Sequence, residues 1–123
     1  MNTPSLIHKM KVVREHDKLY LREDRKKKPK ESFKLIARVT KPFLRKFKQP
    51  AILDIGCATG DFLYFISGLY PKASLTGVDV MPELLAVGRK AVPQARFLKG
   101  DIYTGRDLPK RKFDAVFMIG VNH

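Results

Sequence analysis

Residues 53–62 read Leu-Asp-Ile-Gly-Cys-Ala-Thr-Gly-Asp-Phe, an apolar strand running into a two-glycine turn and then a helix. A turn of this kind lets backbone approach a ligand closely, because glycine has no Cβ and tolerates positive φ. The helix behind it aims unpaired N–H groups at whatever lies over the turn. Nineteen residues after Gly60 comes Asp79, closing the apolar run Leu75-Thr-Gly-Val78. Strand, glycine turn, helix, strand and acid in this order suit an adenosine-containing cofactor, with the acid placed for ribose hydroxyls.

The spacing disfavours a dinucleotide. That fingerprint is G-x-G-x-x-G, whereas this turn has Gly56 and Gly60 with Ala58 between them. A pyrophosphate needs close backbone approach at the middle glycine. No Gly-Lys-Ser/Thr phosphate loop is present, and Asp54 and Asp61 flank the turn with negative charge. An NAD-dependent oxidoreductase is therefore the weaker enzymatic reading. A ligand with an ammonium, a carboxylate and a sulfonium suits these surroundings better.

The stretch Leu53–Gly60 resembles the first motif of the class I S-adenosylmethionine-dependent methyltransferases. The likeness continues in order along the chain. Gly77-Val-Asp79-Val resembles the second-strand motif, and Phe97-Leu-Lys-Gly-Asp101-Ile the third. Leu108-Pro109 followed by Phe113-Asp-Ala-Val-Phe-Met-Ile-Gly-Val121 resembles the entry to the fourth strand. The resemblance covers roughly residues 50–123 and departs at Ala58, where many members carry glycine.

What it implies is a Rossmann-like α/β fold, a parallel sheet with flanking helices. The family's sheet has seven strands, and only the first four, in order 3-2-1-4, fit into this chain. S-adenosylmethionine is the implied cofactor and S-adenosylhomocysteine its product. By resemblance Asp54, Gly56, Cys57 and Gly60 line the methionine and sulfonium side, largely through backbone. Asp79 accepts from the ribose hydroxyls and Met81 packs on adenine. Asp101 accepts from the adenine amino group, with Ile102 on the other face. Tyr20 is placed to reach over the donor, as tyrosines do in some relatives. An Asn-Pro-Pro-Tyr type motif, which goes with methylation of nucleic-acid amines, is replaced by Ile119-Gly-Val-Asn-His123. That leans toward a small-molecule acceptor. His123, at the end of the fourth strand, is the candidate general base, its imidazole being suited to that work.

At 123 residues and 44% apolar composition, the chain accommodates one domain. No stretch approaches the ~18–20 uninterrupted apolar residues of a membrane span, and the start lacks an apolar signal core. The single cysteine, Cys57, forms no internal disulfide and fits a reducing cytoplasm. Without a histidine or second cysteine beside it, it reads as a small turn residue contributing a backbone N–H rather than a nucleophile.

Charge is uneven. Residues 1–50 hold 16 lysines and arginines against 5 acids, which is eleven of the thirteen net positive charges. Residues 1–30 form a basic segment, densest at Arg25-Lys-Lys-Lys-Pro-Lys30. Such an arm attracts nucleic acid, so an RNA-binding or RNA-modifying protein is the non-small-molecule alternative. The cluster has no aromatic residue between Tyr20 and Phe33 for base stacking, which favours the plainer reading of a solvated lead-in.

The remaining residues, 31–123, read as a partial methyltransferase domain with a lead helix at 31–48 and a cofactor-binding half at 50–123. Phe33, Ile36, Ala37, Thr40, Phe43, Leu44 and Phe47 form the helical stripe, which Pro42 should kink or split. Strands are expected at 51–55, 74–79, 95–99 and 113–121. A helix at 61–69 should bury Phe62, Phe65, Ile66 and Leu69; another should start at Pro82 and turn Leu84, Leu85 and Val87 inward. Only residues 102–112 join the last two strands, so any helix there must be short or irregular. The run Ala115–Ile119 suggests a sheet covered on both faces. Ending at its fourth strand, the sequence reads as truncated, with that strand an exposed edge open to self-association.

Overall fold

The computed structural model describes residues 29–119. Tyr20, Asn122, His123 and nearly all of the basic segment lie outside the described residues. Seven elements follow one another: α1 (Glu31–Leu44), β1 (Ala51–Ile55), α2 (Asp61–Leu69), β2 (Ser74–Asp79), α3 (Pro82–Ala91), β3 (Arg96–Lys99) and β4 (Ala115–Phe117). The four strands form one parallel sheet in the order β3-β2-β1-β4. Both β1 and β2 carry the boundaries read from sequence.

The side-chain alternation of the strands divides the apolar residues between two faces. Ile52, Leu75, Phe97 and Phe117 join the helix residues Phe33, Leu44, Phe62, Leu63, Ile66, Leu85 and Val92 in the larger core. All three helices therefore pack on one face. Rings link them: Phe33 meets Phe62 edge-on at 5.2 Å between centroids, and Phe62 lies 4.9 Å from Phe117. Edge-on pairs of this kind each add about 0.5–1.5 kcal/mol beyond the area that they bury.

The opposite face holds Leu53, Ile55 and Val78, covered by Leu98, Ile102, Leu108 and Phe113. Handedness explains the switch. A right-handed return from β3 past β2 and β1 to β4 has to cross the face that the helices leave open. The connection is irregular, as its length requires, and it stops short of β4. Val116 and Met118 are 55% and 56% exposed there, so the expectation of full cover on both faces fails at this edge. The fourth strand also proves shorter than read, three residues instead of nine. Asp114 precedes it and clamps it to β1 by other means. The Asp114 N–H donates to the Ala51 carbonyl at 2.8 Å, and the Ala51 N–H donates to Asp114 Oδ2 at 2.8 Å.

Pro42 does not split α1. It falls in the last turn, where a lost N–H forfeits a single helical bond, and the helix ends two residues later at Leu44 rather than at 48. Phe33, Ala37 and Leu44 carry the buried stripe, whereas Phe43 is 45% exposed and pairs with Phe47 at 5.2 Å. In α2, Leu63 is buried in place of Leu69, which faces solvent. Gly77 in β2 has no room for a side chain: an added Cβ would lie 2.7 Å from Cys57 Sγ and 2.9 Å from Leu63 Cδ1. Gly68 in α2 has nothing within 4 Å of the same position.

These two glycines should respond to alanine with opposite signs, measured as urea midpoints. Gly77→Ala overpacks the core and should cost about 1–3 kcal/mol. Gly68→Ala improves an open helical position and should add about 0.5–1 kcal/mol.

Candidate cofactor site

The carboxyl ends of β1, β2 and β3 converge beside the point where the strand order reverses, between β1 and β4. In open parallel sheets that is where ligands lie. The turn after β1 is built from three left-handed residues, Gly56 (φ 76°), Ala58 (φ 51°) and Gly60 (φ 80°). Glycine is needed at Gly60 twice over. A Cβ there would also sit 2.8 Å from Phe97 Cζ. Ala58 accepts the same backbone region at a cost of about 1–2 kcal/mol.

Asp79 compensates for that strain. Its Oδ2 accepts from the Ala58 N–H at 2.9 Å, and its Oδ1 accepts from the Met81 N–H at 3.0 Å. One carboxylate thus ties the turn after β1 to the start of α3. The two bonds occupy about half of the lone-pair sites of a carboxylate, so both oxygens can still accept from a ligand. The expected ribose acid stands at the mouth of the turn, and Met81 is half-buried as the residue that caps α3.

The other donors of the turn are spent internally. Gly56 and Cys57 both donate to the Val78 carbonyl, at 2.7 and 3.0 Å, and the Gly60 N–H donates to the Cys57 carbonyl at 2.9 Å. This corrects the reading of Cys57 as a residue offering its N–H outward. A loop that cradles phosphate presents such N–H groups to the anion; this one presents none of these four. At the head of α2, the Thr59 hydroxyl donates to Asp61 Oδ1 at 3.0 Å, adding a buried carboxylate to the same corner.

Asp54, on β1, is 3% exposed. Burial in the first place, and the neighbouring Asp79 in the second, push its carboxyl up to about 8. Burial also raises the Cys57 thiol, reinforced by Asp54 and then Asp79. A thiol held protonated between two carboxyl groups is a poor nucleophile, in keeping with the turn-residue reading. At the end of β3, Asp101 Oδ1 accepts from the Tyr103 N–H at 2.8 Å, and the Gly100 N–H donates to the Asp79 carbonyl at 3.1 Å. Ile102 is half-buried against Leu53, Ile55 and Val78.

Eight of the nine residues expected in the site thus lie along three adjacent strand ends; the ninth, His123, is outside the described residues. Sequence reasoning took Ala58 only as a departure from glycine and did not foresee its bond to Asp79. The Val78 carbonyl, which holds two of the turn's N–H groups, was invisible because backbone acceptors leave no side-chain signature. Thr59 was passed over although it sits inside the decisive stretch.

Comparison with known proteins agrees with this architecture. Residues 52–123 match the family described as a methyltransferase domain. The trans-aconitate 2-methyltransferase of Escherichia coli O1:K1 / APEC is 33% identical over 66 residues, which is 54% of this chain and 25% of that protein. The demethylmenaquinone methyltransferase of Chlorobaculum tepidum is 42% identical over 53 residues, 43% of this chain and 22% of that protein. The chain thus spans about a quarter of these relatives. Among solved structures, the plantazolicin methyltransferase BpumL in complex with S-adenosylhomocysteine and a pentazolic desmethylPZN analog superposes with a TM-score of 0.57 at 32% identity. It covers 69% of this chain and 34% of its own. CalS10, an amino pentose methyltransferase from Micromonospora echinaspora with S-adenosylmethionine bound, gives 0.58 at 25% identity, covering 77% and 39%. With more than half of its residues matched by that family, and the strand order and glycine turn in place, the chain belongs to the methyltransferase-domain family.

Proposed function

We propose that this chain binds S-adenosylmethionine and serves methyl transfer to a small-molecule acceptor. The observation that carries the cofactor assignment is the turn after β1, whose N–H groups at 56, 57, 58 and 60 are consumed by the protein itself. What the corner offers a ligand is acceptor groups, the carboxyls of Asp54, Asp79 and Asp101. Acceptors suit an ammonium, a sulfonium and ribose hydroxyls; they do not suit a pyrophosphate.

In this reading Asp79 takes the ribose hydroxyls with the lone pairs left by Ala58 and Met81. Asp101 accepts from the adenine amino group, and Met81 and Ile102 pack against the two faces of the ring. Asp54, Gly56, Cys57 and Gly60 surround the methionine portion. The sulfonium makes its methyl carbon electrophilic, so the protein needs no reactive group of its own. Its work is to hold an acceptor lone pair in line with the methyl–sulfur bond at about 3–3.5 Å. His123 is proposed as the base that takes a proton from a hydroxyl or amine acceptor. The small-molecule acceptor is supported by the relatives, whose names specify trans-aconitate, demethylmenaquinone, plantazolicin and an amino pentose.

Two measurements test the cofactor assignment. Isothermal titration of S-adenosylhomocysteine should show micromolar binding that Asp79→Ala weakens at least tenfold, the cost of about 1.4 kcal/mol or more for lost charge-assisted hydrogen bonds. Unchanged affinity in the variant would remove Asp79 from the site. In thermal unfolding, S-adenosylhomocysteine should raise the midpoint while NADH leaves it in place. Protection by NADH alone would turn the assignment toward a dinucleotide.

A further inference from the structure

Asp54 is buried at the carboxyl end of β1, and its carboxyl makes no side-chain hydrogen bond among the described residues. Its described neighbours offer no positive charge. Across the sheet it lies level with Gly77 of β2 and Phe117 of β4. The faces of α1 and α2 packed on this side of the sheet present Phe33, Phe62, Leu63 and Ile66, which are hydrocarbon. The titratable groups close by are Asp79 at the end of β2 and Cys57 in the turn, and Asp61 at the head of α2 is bonded to Thr59. None of them can balance a negative charge on Asp54, and no lysine or arginine among the described residues pairs with it. A carboxyl in this setting keeps its proton at neutral pH, because burial and a like-charged neighbour both disfavour ionisation.

We propose that Asp54 distinguishes the sulfonium donor from its thioether product by exchanging its own proton for the donor's positive charge. This rests on the cofactor assignment above, which puts the methionine and sulfonium portion beside β1 and its turn. Donor binding brings a fixed positive charge against a carboxyl that has no other partner among the described residues. The proton leaves to solvent and a carboxylate faces the sulfonium. During transfer the methyl group passes to the acceptor's lone pair, and the carbon–sulfur electron pair stays on sulfur. The sulfur is then neutral and the carboxylate has lost its counter-charge. Asp54 takes a proton back from solvent, and the preference that held the donor is withdrawn from the product. Proton uptake and product release are therefore two sides of one step.

The test is titration calorimetry of the full chain with S-adenosylmethionine and, separately, S-adenosylhomocysteine. Runs between about pH 6 and pH 7.5, in two buffers of different ionisation enthalpy, count the protons released on binding. The donor should release close to one proton and the product markedly fewer. The donor-to-product affinity ratio should rise by up to about tenfold per pH unit and level off as pH reaches the carboxyl's own value, about 8. Asp54→Asn, titrated in parallel, subtracts protons that belong to the cofactors themselves and should make the ratio independent of pH. Equal proton counts for the two ligands, or a ratio that keeps its pH dependence in Asp54→Asn, overturns the proposal. If the variant does not fold, the proton counts of the unaltered chain decide alone. Failure of both ligands to bind is a different result: it removes the cofactor assignment, and this inference with it.

Discussion

The carboxylate of Asp79 holds together the part of the molecule on which everything functional depends. It accepts one N–H from the turn after β1 and one from the first residue before α3, so two crossover units of the sheet are locked by a single side chain. The bond to Ala58 also stabilises a non-glycine residue in the left-handed region. Without it the turn loses both its anchor and the reason for its shape. The same side chain is the proposed ribose acceptor, so structural and binding duties fall on one group. The Val78 carbonyl does the complementary work, drawing in two further N–H groups from the turn. Between them, Asp79 and Val78 turn a segment that elsewhere cradles anions into one that shows acceptors.

Much of this was legible in the sequence, for identifiable reasons. The strand β1 is bounded by Pro50 and Gly56, and β2 lies between Pro71, which follows α2, and Pro82, which opens α3. The distance from Gly60 to Asp79 is one helix plus one strand, which fixes the acid beside the turn whatever the details between. The crossover before β4 could be judged irregular from its eleven residues alone. What escaped was of a different kind. Whether Pro42 breaks α1 depends on how near the helix end it falls, and that end is set by tertiary packing. Leu63 and Leu69 both fit a helical stripe to within one position, so the choice between them is made by the sheet, where Leu63 lies against Gly77, and by no local rule. The uses of backbone carbonyls and N–H groups in the turn have no counterpart in a residue pattern at all.

The helices and the irregular connection divide the sheet's two faces unequally. One face is closed by three helices and a ladder of phenylalanine rings, and it supplies most of the buried apolar surface. The other is closed by a loop that reaches Leu53, Ile55 and Val78 but leaves Val116 and Met118 facing solvent. The asymmetry places the well-packed layer beneath the glycine turn. Its left-handed Gly60 is thus supported from below by Phe97.

The clamp between Ala51 and Asp114 carries a consequence for how the chain acquires this shape. β1, β2 and β3 pair through crossovers of about twenty residues, whereas the Ala51–Asp114 contacts close a loop of sixty-three. Closing the longer loop costs more chain entropy and brings in only three strand residues, so its reward is smaller. Loop closure therefore favours assembly outward from the β1–β2 pair, with β4 docking last. The glycine turn and its aspartate belong to the early part of that sequence. On that order the corner proposed to hold the cofactor forms before the strand that borders it.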